Sequence, residues 1–278
     1  MSESQTVAVA GLGLIGGSIA RALSAKGVDV IAYDRNQDSV NAAIAEGVVC
    51  RSIDESLNHI PEASIVIVAL PGDAARDLIR RSAGALEKAR LVMDVGSAKK
   101  VVLEVAEASG IGAKFVGCHP LAGDHRSGWA SSRADMFRGH DVFLCPSSET
   151  SDRVLQAARH FWESLGALPV VADAAAHDSR MAWVSHLPHI LSSSLALTLV
   201  DAGLSRAELG PGGRDMTRLA GSLPDMWTAI AHENAEAITT AISLFEDHLS
   251  AFKKAVAAGD TESFRRQFSA GFDWFSEE

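Results

Sequence analysis

The sequence predicts an α/β fold in two parts: a doubly wound, largely parallel sheet domain over residues 1–172 and an all-helical domain over residues 173–278. Short Val/Ile/Leu/Ala runs alternate with helix-like segments up to about residue 172, and almost no strand pattern follows. Length agrees, since 278 residues bury a substantial core and suffice for two domains of ordinary size.

The first strand, Val7–Ala10, runs directly into Gly11-Leu12-Gly13-Leu14-Ile15-Gly16-Gly17 and then into a helix carrying Ser18, Ile19, Ala20 and Leu23. Strand, glycine triplet and helix in that order form a Rossmann-type dinucleotide fingerprint. Gly11 permits the tight turn, Gly13 lets a pyrophosphate approach the backbone, and Gly16 lets the helix pack close to the strand. The unpaired N–H groups at the helix start then face the diphosphate. A second strand over 28–33 ends in Asp34, about twenty residues past the glycines, where a carboxylate accepts hydrogen bonds from both adenosine ribose hydroxyls. That carboxylate repels a 2′-phosphate, so NAD is the expected cofactor. Arg35 beside it is the group NADP would want, and keeps that cofactor open. Leu14 and Ile15 in the turn, with Leu70 and Pro71 at the end of a buried strand over 65–70, complete the expected cofactor contacts.

A strand over 91–95 delivers Gly96, Ser97 and Lys99 at its carboxyl end, the side on which ligands of such sheets bind. Ser97 therefore reads as a neighbour of nicotinamide or substrate, or as the N-cap of a helix over 99–108. A strand over 114–118 delivers His119 and Pro120, and strands at 142–145 and Leu168–Val171 close the sheet. His119 lies just past a complete nucleotide half, so its ring can take a proton from a substrate while a nicotinamide takes a hydride. Cys118 reads as a buried thiol rather than a nucleophile. Between these strands, 121–141 carries Arg126, Arg133 and Arg138 with few apolar anchors, a long irregular connection suited to anion binding or to solvent.

The second half reads as helices over about 175–202, 224–257 and 260–275, with short ones near 205–210 and 215–220. The segment 175–202 is apolar on most of its circumference, which predicts burial in a multi-helix body, with Pro188 perturbing it locally. A small helical domain of this kind rarely covers all its apolar area, so a homodimer through these helices is expected. His186 and His189 share a face, but no carboxylate or cysteine is placed as a third ligand, so no metal is expected. Glycines at 210, 212 and 213 precede Arg214 and Arg218, four apart on an expected short helix, a compact arrangement for carboxylates. Trp227 on the next helix packs or lines an aromatic pocket.

The net charge of −10 argues against nucleic acid or an anionic membrane as a partner, so an acidic ligand must be held by local basic groups. Cys50, Cys118 and Cys145 suit a reducing compartment and no disulfide framework. Residues 1–6 are too short and polar for a signal peptide, and polar residues interrupt 184–199, so neither export nor a membrane span is expected and the cytoplasm is.

Taken together, GLGLIGGSIARAL, DVGSAKK, GCHPLAGDHRSG, VSHLPH and GGRDMTRLAGSLPDMW resemble the prephenate dehydrogenase family, which includes arogenate and cyclohexadienyl dehydrogenases of tyrosine biosynthesis. The resemblance runs from the first strand to the helix carrying Trp227. It implies a Rossmann-type domain followed by a helical dimerisation domain, and an anionic cyclohexadienyl substrate oxidised at its ring C4 carbinol with loss of the ring carboxylate as CO₂. The products would be 4-hydroxyphenylpyruvate from prephenate or tyrosine from arogenate. By the same resemblance, His119 bonds the ring hydroxyl, with Ser97 helping to orient both. Arg218 is the principal carboxylate binder, Arg214 stands where the family often has lysine, and His189 and Trp227 line the pocket.

One departure stands out. After HPLAG the family commonly has a small residue, glutamate, a basic residue and Ser-Gly, whereas this chain has Asp124, His125, Arg126, Ser127 and Gly128. The change of charge leaves room for a divergent member acting on 4-amino-4-deoxyprephenate or a related acid. A non-catalytic NAD-binding sensor or assembly protein would also explain the glycines and the helical half, but not His119, Arg214 and Arg218 together.

Overall fold

The computed structural model describes residues 6–58, 60, 65–123 and 126–277. Asp124 and His125, the departure noted above, lie outside the described residues. The chain forms two compact units, one of residues 1–181 with 220–234 and the other of 182–219 with 235–278.

The first unit is built on one sheet. Its strands are β1 (Val7–Ala10), β2 (Val30–Tyr33), β3 (Arg51–Ser52), β4 (Ile65–Val68), β5 (Leu91–Asp94), β6 (Phe115–Pro120), β7 (Asp141–Pro146) and β8 (Leu168–Val171), in the spatial order β3-β2-β1-β4-β5-β6-β7-β8. All neighbours are parallel except β6 and β7. The inner strands β1, β4 and β5 are buried on every residue, as continuous apolar runs covered on both faces require. Alternate residues of β1 go to opposite cores. Val7 and Val9 join Ile19 and Leu23 of α1 (Leu14–Ser24) and Trp162 of α5 (Asp152–Ser164) on one face. Ala8 and Ala10 join Leu78 and Ile79 of α3 (Gly72–Leu86) and Leu103 of α4 (Lys100–Ala108) on the other. Strand order reverses between β1 and β4, which makes their carboxyl ends the crevice of the doubly wound sheet.

The segment 121–141 is better anchored than its composition suggests. Trp129, Met136 and Phe137 are buried in the core beneath α1 and α5. The Arg21 guanidinium lies 4.0 Å from the Trp129 ring centre, and Trp129 Nε1 donates at 2.9 Å to Glu46, the C-cap of α2 (Gln37–Ala45). Among the described residues of this stretch Trp129, Met136 and Phe137 are the buried apolar side chains, too sparse to register as a period.

Two long helices of the sequence reading are interrupted. The segment 175–202 divides into α6 (Ala174–Met181), a π turn at 182–186 and α7 (Leu187–Asp201). Pro188, which has no N–H to donate, stands in the first turn of α7, so the ladder must be re-formed there. The segment 224–257 divides at Asn234 into α9 (Pro224–Glu233) and α10 (Ala235–Ala258), after the short α8 (Pro211–Met216). Asn234, the C-cap of α9, donates from Nδ2 to the Asp178 carbonyl at 2.7 Å. Both breaks move material between units. Against the expected division at 172/173, α6 packs on α4 and β7, and α9 packs on α3, where Arg76 pairs with Glu233.

In the second unit α7 and α10 pack together, and α10 packs on α11 (Thr261–Ser276) through Phe252, Phe264 and Phe268. The expected burial of the apolar helix 175–202 does not occur within one chain. Leu197 and Val200 are each 66% exposed, as are Phe272, Trp274 and Phe275 of α11 at 70–75%. The helices are too few to cover every apolar side.

Candidate active site

At the carboxyl end of β1 the backbone turns through Gly11, whose φ of 102° favours glycine, and a Cβ there would lie 2.3 Å from the Ala69 carbonyl oxygen. A Cβ on Gly16 would lie 1.9 Å from the Gly11 oxygen and 2.8 Å from Ala69 Cβ, so α1 can approach β1 and β4 only with glycine there. At Gly13 a Cβ would meet nothing within 4 Å, an open cradle beside the first turn of α1, which carries no acidic residue. Asp34 ends β2 with both oxygens oriented by backbone donors, Leu12 N–H at 2.6 Å and Asn36 N–H at 2.7 Å. Arg35 is exposed, Leu14 and Ile15 are half-buried in the cradle turn, and Leu70 and Pro71 follow β4. These residues fit a dinucleotide: open backbone donors for a diphosphate and a fixed carboxylate for ribose hydroxyls. Replacing Gly16 with Ala is expected to cost about 1–3 kcal/mol of stability and to weaken dinucleotide binding. Urea unfolding and a cofactor titration read the two effects separately.

His119 is the fifth residue of β6, paired with Phe143 of β7, and is half-buried. Its Nδ1 lies 2.9 Å from Nε2 of His177, a buried residue of α6. His177 Nδ1 in turn lies 2.8 Å from Asp178 Oδ1. Phe143 meets the His177 ring edge-on, with centroids 5.1 Å apart. Asp178 also accepts the backbone N–H groups of Lys99 at 2.8 Å and Lys100 at 2.9 Å, so its carboxylate satisfies the start of α4. Burial opposes its ionisation, but the hydrogen bonds from His177 and these two amides outweigh it and hold the carboxyl below its ordinary range. The N-cap role considered for Ser97 is thus taken by Asp178, from 79 residues away along the chain. Ser97 itself is half-buried in the turn after β5.

Beneath His119 lies a buried ion pair. Lys99 Nζ donates to Asp94 Oδ2 at 2.5 Å and to the Cys118 carbonyl at 2.8 Å, while Asp94 accepts the N–H groups of Gly96 at 2.8 Å and Cys118 at 3.1 Å. A Cβ on Gly117 would lie 3.2 Å from Lys99 Cδ, so this glycine makes room for the lysine. The pair ties β5 to β6 immediately before His119. Burial, reinforced by the Asp94 carboxylate, pushes the Cys118 thiol far up, which removes it as a thiolate at neutral pH. The sequence reading placed Lys99 at the end of a strand but gave no role to it or to Asp94, His177 or Asp178. Lys99 resembles its exposed neighbour Lys100, and the signal for the other pair was two polar residues at the head of an Ala-rich helix.

The second unit holds His189, Arg214 and Arg218. His189 Nδ1 donates to the Ser185 carbonyl at 2.9 Å, across the π turn. Arg214 donates to the Ala207 carbonyl at 3.1 Å and is exposed, as is Arg218. The two arginines do not share one helix as expected. Met216 ends α8, Thr217 caps it, and Arg218 opens a 3₁₀ turn over Arg218–Gly221. Trp227 is half-buried on α9 and belongs to the first unit, and Arg126 is exposed. Among the described residues no group of three or more His, Cys, Asp or Glu side chains is placed to hold a metal, and no helix is long and apolar enough to cross a membrane.

A doubly wound sheet, a glycine cradle at its switch point and a fixed carboxylate after β2 define a dinucleotide-dependent oxidoreductase, with a histidine at the end of β6 as its candidate acid–base group. The sequence matches the nucleotide-binding domain of prephenate dehydrogenase over residues 19–171 and the dimerization domain of prephenate dehydrogenase over residues 173–270. It is 30% identical to the prephenate dehydrogenase of Bacillus subtilis over 277 residues, spanning 97% of this chain and 75% of that one. Among solved structures it is similar to the A. aeolicus prephenate dehydrogenase in complex with hydroxyphenyl propionate and NAD⁺, with TM-score 0.88, 29% identity and 98% of each chain covered. It is also similar to Synechocystis arogenate dehydrogenase, with TM-score 0.83, 26% identity and 98% and 99% of the two chains covered. The chain belongs to the prephenate dehydrogenase family. The family boundary falls near residue 172, whereas the compact units divide at 181/182, because α6 starts the second family domain but packs on the sheet.

Proposed function

We propose that this enzyme oxidises prephenate, arogenate or both, with decarboxylation, using His119 as the base. The observation that carries the proposal is a histidine at the end of β6, in the same sheet as the dinucleotide cradle, in a chain matched across both family domains. NAD, when bound, supplies the acceptor for the hydride that leaves ring C4. His119 takes the proton of the C4 hydroxyl as the carbonyl forms. The ring C1–carboxylate bond then breaks, CO₂ departs, and its electron pair completes the aromatic ring. The phenolate oxygen so produced takes the proton back, which returns His119 to its neutral form. No water or further oxidant is consumed.

Ser97 orients the substrate hydroxyl. Arg218 binds a substrate carboxylate, and Arg214, Arg126, His189 and Trp227 are the further substrate contacts that the family resemblance implies. In the cofactor half, Gly11, Gly13, Gly16, Leu14, Ile15, Leu70 and Pro71 cradle the dinucleotide. Asp34 holds the adenosine ribose and disfavours NADP, with Arg35 as the residue that tolerates it. The exposed apolar side chains of α7 and α11 fit a homodimer, and the residue chemistry fits a cytoplasmic enzyme.

Steady-state assays with prephenate and with arogenate, each against NAD and NADP, test this reading. NADH formation matched by CO₂ release is expected with at least one substrate, and no turnover with either would overturn it. Replacing Arg218 with Ala is expected to raise the KM for substrate roughly 10- to 100-fold, the weight of a hydrogen bond to a charged group. An unchanged KM would remove Arg218 from the pocket.

A further inference from the structure

We propose that His177 and Asp178 act as positioning residues that fix the ring tautomer of His119, leaving its Nε2 unprotonated and so able to receive the substrate proton. The inference rests on the reading of His119 as the base and extends it to two residues without substrate contact.

Asp178 is surrounded by donors: two backbone N–H groups at the start of α4 on its two oxygens and the His177 ring on Oδ1. An ionised carboxylate accepts only, so the 2.8 Å contact with His177 Nδ1 requires the proton on that nitrogen. A neutral His177 then presents a lone pair at Nε2. The 2.9 Å contact between that lone pair and His119 Nδ1 requires a proton on His119 Nδ1. Neutral His119 is thereby unprotonated at Nε2, the tautomer that can accept a proton. With the opposite tautomer the ring would present an N–H and could not act as a base.

The same line of groups serves the protonated state. An imidazolium at His119 keeps its Nδ1–H on His177, whose far side is bonded to the Asp178 carboxylate, so the new charge forms at the end of a chain already polarised to receive it. Several contacts hold the chain still. Asn234 Nδ2 donates to the Asp178 carbonyl, the α4 amides hold its carboxylate, and the Phe143 ring packs edge-on against His177. With His119, Phe143 and Asp178 around it, His177 is buried.

Nitrogen NMR of the full chain labelled with ¹⁵N-histidine reads the tautomer directly, with the His119 signals assigned by their loss in the His119→Asn variant. Wild-type His119 is expected to be protonated at Nδ1 and unprotonated at Nε2. His177→Phe removes the acceptor and is expected to abolish that preference and lower kcat by roughly 10²-fold, with the KM values for NAD and substrate held. His177→Gln, whose amide oxygen can accept from His119 Nδ1 and whose NH₂ can donate to Asp178, is expected to recover part of kcat and the tautomer. Wild-type His119 carrying its proton on Nε2 would overturn the proposal, as would wild-type kcat in His177→Phe. Should His177→Phe fail to fold, the wild-type spectrum and His177→Gln still decide. If His119→Asn loses turnover while both His177 variants keep it, the positioning chain fails and the base stands. If His119→Asn turns over normally, the base assignment itself fails.

Discussion

Replacing His119 with Asn is expected to lower kcat by roughly 10²- to 10⁴-fold while leaving NAD affinity nearly unchanged. The amide of asparagine can still accept a hydrogen bond from a substrate hydroxyl, but it cannot carry the proton away as the hydride leaves. Binding of the cofactor should survive because its expected contacts come from elsewhere in the sheet, the ends of β1, β2 and β4, whereas His119 comes from β6. The substitution also spares the Lys99–Asp94 pair, whose bonds to this strand go to the backbone of Cys118. Single-turnover rates separate the chemical step from product release, and a fluorescence titration gives the NAD affinity. A variant with unaltered kcat would require a different base.

The second large effect is expected one layer below. Replacing Lys99 with Met leaves Asp94 buried with its charge uncompensated and should destabilise the protein by about 3–5 kcal/mol. Lys99 is fully enclosed, so little solvent screening softens the loss. The sign of the pH dependence follows from Asp94. Burial raises its carboxyl above the ordinary range and Lys99 opposes that rise, so without Lys99 protonation favours the folded state still more. The deficit should therefore shrink as pH falls from neutral through the raised Asp94 pKa, and grow again as pH returns to neutral. Urea midpoints across that range measure it. Adding Asp94→Asn to Lys99→Met removes the stranded charge and should recover part of the loss at neutral pH. A single variant as stable as wild type at every pH would show that the pair contributes nothing net. Because the pair also ties Cys118 in place next to His119, kcat should fall in the single variant even where it remains folded.

Much of the cofactor half was legible in sequence because its parts are contiguous. Gly11, Gly13 and Gly16 lie within six residues, and the strand that precedes them and the carboxylate that ends the next strand occur in the order a nucleotide cradle requires. Helix limits in the second half were less legible. The break at Asn234 coincides with a hydrogen bond to the carbonyl of Asp178, 56 residues earlier, and no local propensity announces it. The π turn before α7 was partly announced by Pro188, which marks a disturbed ladder without saying what form the disturbance takes. Arg214 and Arg218 have helical spacing, yet α8 ends at Met216 with Thr217 as its cap, before Arg218 is reached.

The sequence by itself determined the doubly wound half, the dinucleotide cradle and His119 as the candidate base, since each rests on neighbouring residues whose backbone and side-chain chemistry act locally. Tertiary structure alone decided what stands behind that base. Lys99 is buried only because β5 and β6 run side by side, and Asp178 caps α4 only because α6 returns to the sheet. Charges and imidazoles are neutral in meaning until folding removes water from around them. Once the solvent is gone, each must find a partner across the chain or be destabilised, and those partners give the His119 ring its orientation.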